Sequence, residues 1–156
     1  MITLARLHEL LDYDPATGTF RWTVVRKHNR AGKVAGTSHN GGYWSIRIDG
    51  IRYLAHRLAI FYMTGLWPIE GDHHNRNKRD NRAANLRPAT RSQNAANAGM
   101  PCNNTSGVKG VSFNRAAQKW VVYVGREHWG TYDDFDIACL IRHEAAAKTY
   151  GEFSHG

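Results

Sequence analysis

An α+β chain in two modules, about residues 1–100 and 107–156 with a linker at 101–106, is the architecture the sequence predicts. Three observations predict it. Short helix-spaced and strand-alternating segments interleave throughout the 156 residues. The stretch Pro101-Cys102-Asn103-Asn104-Thr105-Ser106-Gly107 is made of turn formers. Three brief strand patterns and one long helical pattern fill the remainder of the chain, which reads as a three-stranded antiparallel sheet packed on one helix. At 42% hydrophobic residues the chain can build packed cores and is not a disordered tail.

Each element has its own local signal. Leu4 to Leu11 has helical spacing at Leu4, Leu7 and Leu11, and runs into the turn signal Asp14-Pro15-Ala16-Thr17-Gly18. Thr19 to Trp22 is a short strand, and the basic, Gly- and Asn-rich residues 26–42 form a loop. Tyr43 to Tyr53 alternates, with Trp44, Ile46 and Ile48 on one face. Asp49-Gly50 at its centre signals a type I′ hairpin. Leu54 to Thr64 is a buried helix closed by Gly65 and Pro68. Glu70 to Asn85 nearly lacks apolar residues and reads as a loop held by polar contacts, with a short strand at 85–87 stopped by Pro88. Thr90-Arg91-Ser92-Gln93 is a capping box that starts a helix ending near Gly99. In the second module, Val108 to Phe113, Lys119 to Val124 and Trp129 to Tyr132 are strands. Asp134 caps a final helix with Ile137, Leu140, Ile141 and Ala145 inward, ending at Gly151.

Charge narrows the partner. The chain carries 21 Lys+Arg against 13 Asp+Glu, a net +8. Residues 71–100 hold six basic and two acidic side chains. Residues 101–126 hold four basic and no acidic ones, and 127–156 hold two basic and six acidic. Such asymmetry with five Trp and seven Tyr points to a nucleic acid, to a cutting or docking surface more than a general basic coat. The longest apolar run, Leu58 to Met63, is far short of a membrane span. The N-terminus lacks the basic-then-apolar order of a secretion signal, so a cytoplasmic, reduced protein with no membrane partner is expected. Cys102 and Cys139 have neither disulfide-framework nor paired zinc spacing. His8, His28, His39 and His155 are scattered and receive no role.

The segment from Asp72 to Leu86 carries the chemistry. Hydrolysis of a phosphodiester needs a base for water and a cation for the charge on phosphate and leaving oxygen. A neutral His suits the first role. A carboxylate with a carboxamide oxygen suits a hard cation that keeps several water positions. In an extended segment Asp72 and His73 point to opposite sides.

These residues resemble the HNH endonucleases with the ββα-metal motif, in particular phage- and intron-borne members. Those carry Asp-His, Asp-Asn-Arg, Asn-Leu-Arg and a Thr-Arg-Ser-x-Asn helix. Here the motifs stand as Asp72-His73, Asp80-Asn81-Arg82, Asn85-Leu86-Arg87 and Thr90-Arg91-Ser92-Gln93-Asn94. The likeness covers about residues 43–100 and includes Ala55-His56-Arg57-Leu58. It implies that His73 is the general base and that Asn85 fixes the loop and orients the imidazole. Asp72 and Asn94 would hold one divalent cation, Mg²⁺ or Mn²⁺. Arg76, Lys78, Arg79, Arg82, Arg87 and Arg91 would position double-stranded DNA. Arg76 departs from the Gly usual in the loop, and His74 follows His73 as a second imidazole. His56, at a helix start, is either a hydrogen-bonded core residue or a phosphate contact.

The second module resembles the DNA-binding domain of plant ethylene-response factors, the APETALA type. The likeness rests on Val108-Lys109-Gly110-Val111, Lys119-Trp120-Val121, Trp129 to Asp133 and Tyr150-Gly151-Glu152-Phe153. It implies a sheet that reads the major groove. Candidate contacts are Lys109, Asn114, Arg115, Lys119, Arg126 and His128, with Trp120 and Trp129 either core or DNA-facing. Together the two likenesses imply a homing-type, metal-dependent DNA endonuclease with no small-molecule substrate, working in a host cell if phage-encoded. A monomer would nick and a dimer break both strands. The alternatives are a catalytically inactive sequence-specific DNA-binding regulator and an RNA-directed nuclease.

Overall fold

The computed structural model describes residues 1–25 and 31–154; His28, His155 and the first part of the expected loop at 26–42 lie outside these. The chain divides into two compact units, Met1–Thr90 and Arg91–Gly156. The sequence places the break at 101–106, ten residues later. The difference has a physical cause: the Lys109 ammonium donates to the carbonyls of Ala95, Ala96 and Ala98 at 2.8, 2.9 and 2.7 Å, which ties the helix before the expected linker to the module after it. Within that linker Ser106 Oγ donates to the carbonyls of Val108 and Val111.

The first unit begins with α1 (Leu4–Leu10), N-capped by Thr3, whose hydroxyl accepts from the Arg6 amide. The predicted helix stops one residue early because Leu11 starts β1 (Leu11–Asp14), a strand without a signal in the sequence, which pairs antiparallel with β2 (Thr19–Trp22). A short β3 (Thr37–Ser38) joins β4 (Trp44–Ile48) and β5 (Ile51–Leu54) in one antiparallel sheet. Asp49 and Gly50 have φ of 47° and 83°, as a type I′ turn requires. α2 (Ala55–Thr64) buries Leu58, Ala59, Ile60 and Phe61 and ends on left-handed Gly65, whose amide returns to the Phe61 carbonyl. The core gathers Leu7, Leu10, Leu11, Phe20, Trp22, Ile46, Ile48 and Leu58 between the helices and the hairpins.

The expected loop at 70–85 is corrected at both ends. Residues Glu70–His73 are strand β6, antiparallel to β7 (Leu86–Ala89), with Asp72 opposite Arg87 and His73 opposite Leu86. β7 continues through Pro88, where the sequence predicts a stop; in this two-stranded ribbon Pro has an edge on which a missing N–H leaves no ladder bond broken.

The second unit holds α3 (Arg91–Asn97), then β8 (Val111–Asn114), β9 (Lys119–Val124) and β10 (Glu127–Tyr132) in one antiparallel sheet, and α4 (Phe135–Tyr150). Asp134 caps α4 through the Ile137 amide at 2.9 Å. The inward face is shifted from the expected one: Ala145 is buried and Ile141 packs on the core as expected, joined by Ala138, Arg142 and Ala146, whereas Ile137 and Leu140 are exposed. Alanines let the helix axis lie close to the sheet, and that closeness sets the phase of the helix instead of its largest side chains. Trp120 lies on the helix side, its ring 4.5 Å from Phe135. No helix among the described residues is long and apolar enough to cross a membrane.

Candidate functional site

The β6–β7 hairpin of the first unit carries the site. Asp72 and His73 are buried at 3% and 5% exposure in β6, and the loop after them folds back on itself through one residue, Asn85. Its carboxamide oxygen accepts from the Asn75 amide at 2.9 Å, its carboxamide NH₂ donates to the Asp80 carbonyl at 2.7 Å, and its backbone carbonyl accepts from His74 at 2.9 Å. A polar loop thereby acquires a fixed shape without an apolar core. Asn75 also donates to Asp80, and Arg82 holds both Asp80 oxygens at 2.7 Å, which keeps that carboxyl well below its ordinary range. Arg76 sits in the loop with φ 62°, the left-handed region that favours Gly.

The imidazole of His73 is met by a residue to which the sequence assigns no role. Asn81 Oδ1 lies 3.0 Å from His73 Nε2, and both side chains are buried. Burial pushes the His73 pKa down; the Asn81 hydrogen bond and the charges of Asp72 and Asp80 oppose this. A carboxamide oxygen against Nε2 is satisfied by the tautomer protonated at Nε2, which leaves the lone pair on Nδ1. Asn81 stands inside the Asp80-Asn81-Arg82 motif, so its signal is on view in the sequence; the turn that aims it is not.

That turn is braced by the N-terminal hairpin. The Tyr13 hydroxyl donates to the Asn81 carbonyl at 2.7 Å, the Ala83 amide donates to the Pro15 carbonyl at 2.9 Å, and Gly18 lies against the Asn81–Arg82 peptide so closely that a Cβ there would collide with it. Burial lifts the Tyr13 pKa to about 12, so the phenol remains a donor.

His56 lies at 3% exposure with its ring centroid 4.8 Å from that of His73 and 5.2 Å from that of Tyr43, and its Nδ1 has no partner. Burial first, then His73 and Arg57, lower its pKa to about 3. Gly71 makes room for it: a Cβ at that position would lie 2.5 Å from His56 Cδ2. This core placement leaves His56 out of reach as a surface phosphate contact.

The predicted DNA-positioning residues separate into two sets. Arg87 is half-buried and ion-paired with Asp72 at 2.8 Å, Arg82 is held by Asp80, and Lys78 donates to the Gly41 carbonyl while lying 4.8 Å above the Tyr43 ring. These three organise the loop. Arg76 and Arg79 are exposed, as is His74. In the second unit, Asn94 is half-buried on α3 and Arg91 exposed; Asn114 holds the β8–β9 turn through the Ala116 and Ala117 amides, and Lys119 pairs with Asp133 at 3.1 Å. Lys109 is bound to the end of α3, which removes it from the expected sheet surface. Arg115, Arg126 and His128 are exposed, with His128 beside Tyr123.

No group of three or more His, Cys, Asp or Glu that could hold a metal exists among the described residues. A lone carboxylate of the Asp72 type nevertheless fits a hard cation that retains most of its water, the chemistry of Mg²⁺ or Mn²⁺ rather than zinc.

Residues 53–96, from β5 through α2 and the hairpin to α3, match the family model described as HNH endonuclease. The matched segment takes in Asp72, His73, Asn81, Asn85 and Asn94 and covers under a third of the chain. No curated protein and no solved structure matches the chain.

Proposed function

We propose that the chain is a metal-dependent, homing-type DNA endonuclease in which His73 takes a proton from the water that attacks a scissile phosphate. The observation that carries this reading is the buried His73–Asn81 pair beside Asp72: a neutral imidazole held in one tautomer presents Nδ1 as a base near neutral pH. Asn85 holds the loop around it, and exposed Arg76 and Arg79 meet the DNA backbone. Asp72 would hold one Mg²⁺ or Mn²⁺, which when bound would neutralise charge on the phosphoryl group and the departing oxygen, and Asn94 is a ligand that the family likeness alone assigns. The sheet of the second unit, with Arg115, Arg126 and His128, would tether the enzyme to double-stranded DNA as an ethylene-response-factor-like domain. A second reading, binding without cleavage, draws on the Arg87–Asp72 ion pair, since a carboxylate engaged by a guanidinium is a weaker cation ligand. Incubating supercoiled plasmid with each metal separates them. Metal-dependent nicking that falls by about 10²-fold or more in His73→Ala supports the enzyme; absent or equal nicking refutes the assignment.

A further inference from the structure

The second unit contains a cavity whose buried wall none of these roles uses. It encloses about 770 Å³ between α3, the turn joining β9 to β10, and the last turns of α4. One wall is Arg142, 7% exposed on the inner face of α4 among alanines. A buried guanidinium is ordinarily matched by a carboxylate, because an unpaired charge out of water is costly. Arg142 makes neither an ion pair nor a hydrogen bond among the described residues, and its Nε is wholly removed from solvent with no partner. Burial correspondingly depresses its pKa.

The rest of the lining does not supply the missing anion. Arg91, Lys109 and Arg126 add positive charge, and Glu127 is the one carboxylate on the wall among the described residues. The Lys109 ammonium is bound to the α3 carbonyls, while Arg142 lines the buried wall and exposed Arg126 the open side. Two glycines keep it open. Gly110 has φ +80°, and a Cβ there would strike the Tyr123 carbonyl and sit 3.7 Å from Arg142 Nε; at Gly125, φ +63°, it would collide with the Tyr150 hydroxyl. That hydroxyl, a further donor at the wall, lies 3.5 Å from Ser92 Oγ.

We propose that this cavity is a phosphate-binding site with Arg142 as its buried anchor and Arg126 at its mouth. A guanidinium fork takes two phosphate oxygens side by side, and the phosphate supplies the counter-charge that the fold withholds. The volume exceeds a bare phosphate and admits the nucleoside attached to one. The phosphate can belong to a nucleic-acid backbone or to a free monoester. The site stands independently of the nuclease reading, since no residue of the hairpin enters it.

The test uses the full chain and an Arg142→Met variant. Thermal unfolding is monitored in about 10 mM inorganic phosphate or adenosine monophosphate against sodium chloride of equal ionic strength. Binding of a labelled DNA duplex is measured across a salt series. The wild type should gain stability from phosphate or from the nucleotide beyond the chloride control, and the variant should lose that gain while unfolding no earlier than the wild type in chloride. A drop of about 0.9 in the salt slope of duplex binding on Arg142→Met assigns the site to backbone phosphate. An unchanged slope with the thermal gain lost assigns it to a free monoester. No phosphate-specific gain together with equal slopes, or equal gains in both proteins, overturns the proposal. If the Met variant does not fold, the water-shielded Nε–H resonance of wild-type Arg142 carries the test. It should move as phosphate is titrated, and a stationary signal overturns the proposal.

Discussion

Lowering the pH from about 8 to about 5 tests the burial of His56 with a magnitude set by its surroundings. The unfolded chain binds a proton at His56 as pH falls through 6.5, whereas the folded unit resists until about pH 3. Protons therefore favour the unfolded state over that whole window, and stability present above pH 6.5 drains away below it at about 1.4 kcal/mol per pH unit. At pH 5 the loss is about 2 kcal/mol, which for a unit of this size lowers the unfolding midpoint by about 8 °C or more. His73, also pushed down by burial, adds in the same direction. The carboxylates of Asp14 and Asp80 are held below their ordinary value of 3.8 and contribute little above about pH 5. Urea titrations monitored by tryptophan fluorescence at about pH 8, 6.5 and 5 would measure the trend in the wild type and in His56→Gln, which cannot titrate there. The variant should retain only the His73 share of the pH dependence, whatever its absolute stability. An unchanged wild-type midpoint between pH 8 and 5, or an undiminished slope in the variant, would refute the reasoning.

Gly18→Ala should lower the stability of the first unit by about 2 kcal/mol or more, because its φ of +73° is strained for any side chain and the new Cβ would strike the Asn81–Arg82 backbone; a wild-type urea midpoint would count against the brace. Asn81→Ala leaves His73 Nε2 buried without its partner and frees the tautomer. It should slow plasmid nicking by about 10-fold or more and move the acid limb of the pH–rate profile downward, since the lost hydrogen bond is one that raises the His73 pKa. A rate loss with an unmoved pH profile would indicate damage to the loop instead of the loss of that bond.

Legibility tracks the physics of each segment. Helix α2 and the β4–β5 hairpin are readable because their signals are local: apolar spacing, Asp49-Gly50 for the turn, Gly65 for the stop. Strand β6 is not, because Glu70-Gly71-Asp72-His73 has no apolar alternation; it is a strand through pairing with β7, which lies sixteen residues away from Glu70 to Leu86. The Asp134 cap reveals α4, but apolar size gets only half its inward face, Ile141 and Ala145, since a close helix–sheet approach selects alanine over Ile137 and Leu140. At the site, Asp72, His73 and Asn85 are visible from motif spacing. Asn81 stands in a motif too, but its aim depends on tertiary bracing, and Arg87 and Lys109 look like free cations in sequence because their partners are distant or on the backbone.

The β1–β2 hairpin, to which the sequence assigns no function, braces the site. Three contacts converge on residues 81–83: the Tyr13 hydroxyl on the Asn81 carbonyl across 68 positions, the Pro15 carbonyl on the Ala83 amide, and Gly18 on the peptide between Asn81 and Arg82. Each acts on backbone, so none depends on the side-chain chemistry of the loop. The Asn81 side chain is left to do one thing, which is to meet His73. A loop of such polarity has no apolar face of its own to settle against, and its hydrogen bonds would exchange with water unless the backbone were held in place. The β1–β2 hairpin, itself anchored in the core through Leu11, Phe20 and Trp22, carries the stiffness of that core to the imidazole. In the reaction proposed above, a site held this way would keep His73 in one tautomer before substrate arrives, which is where a hydrolytic enzyme gains most from a fixed geometry.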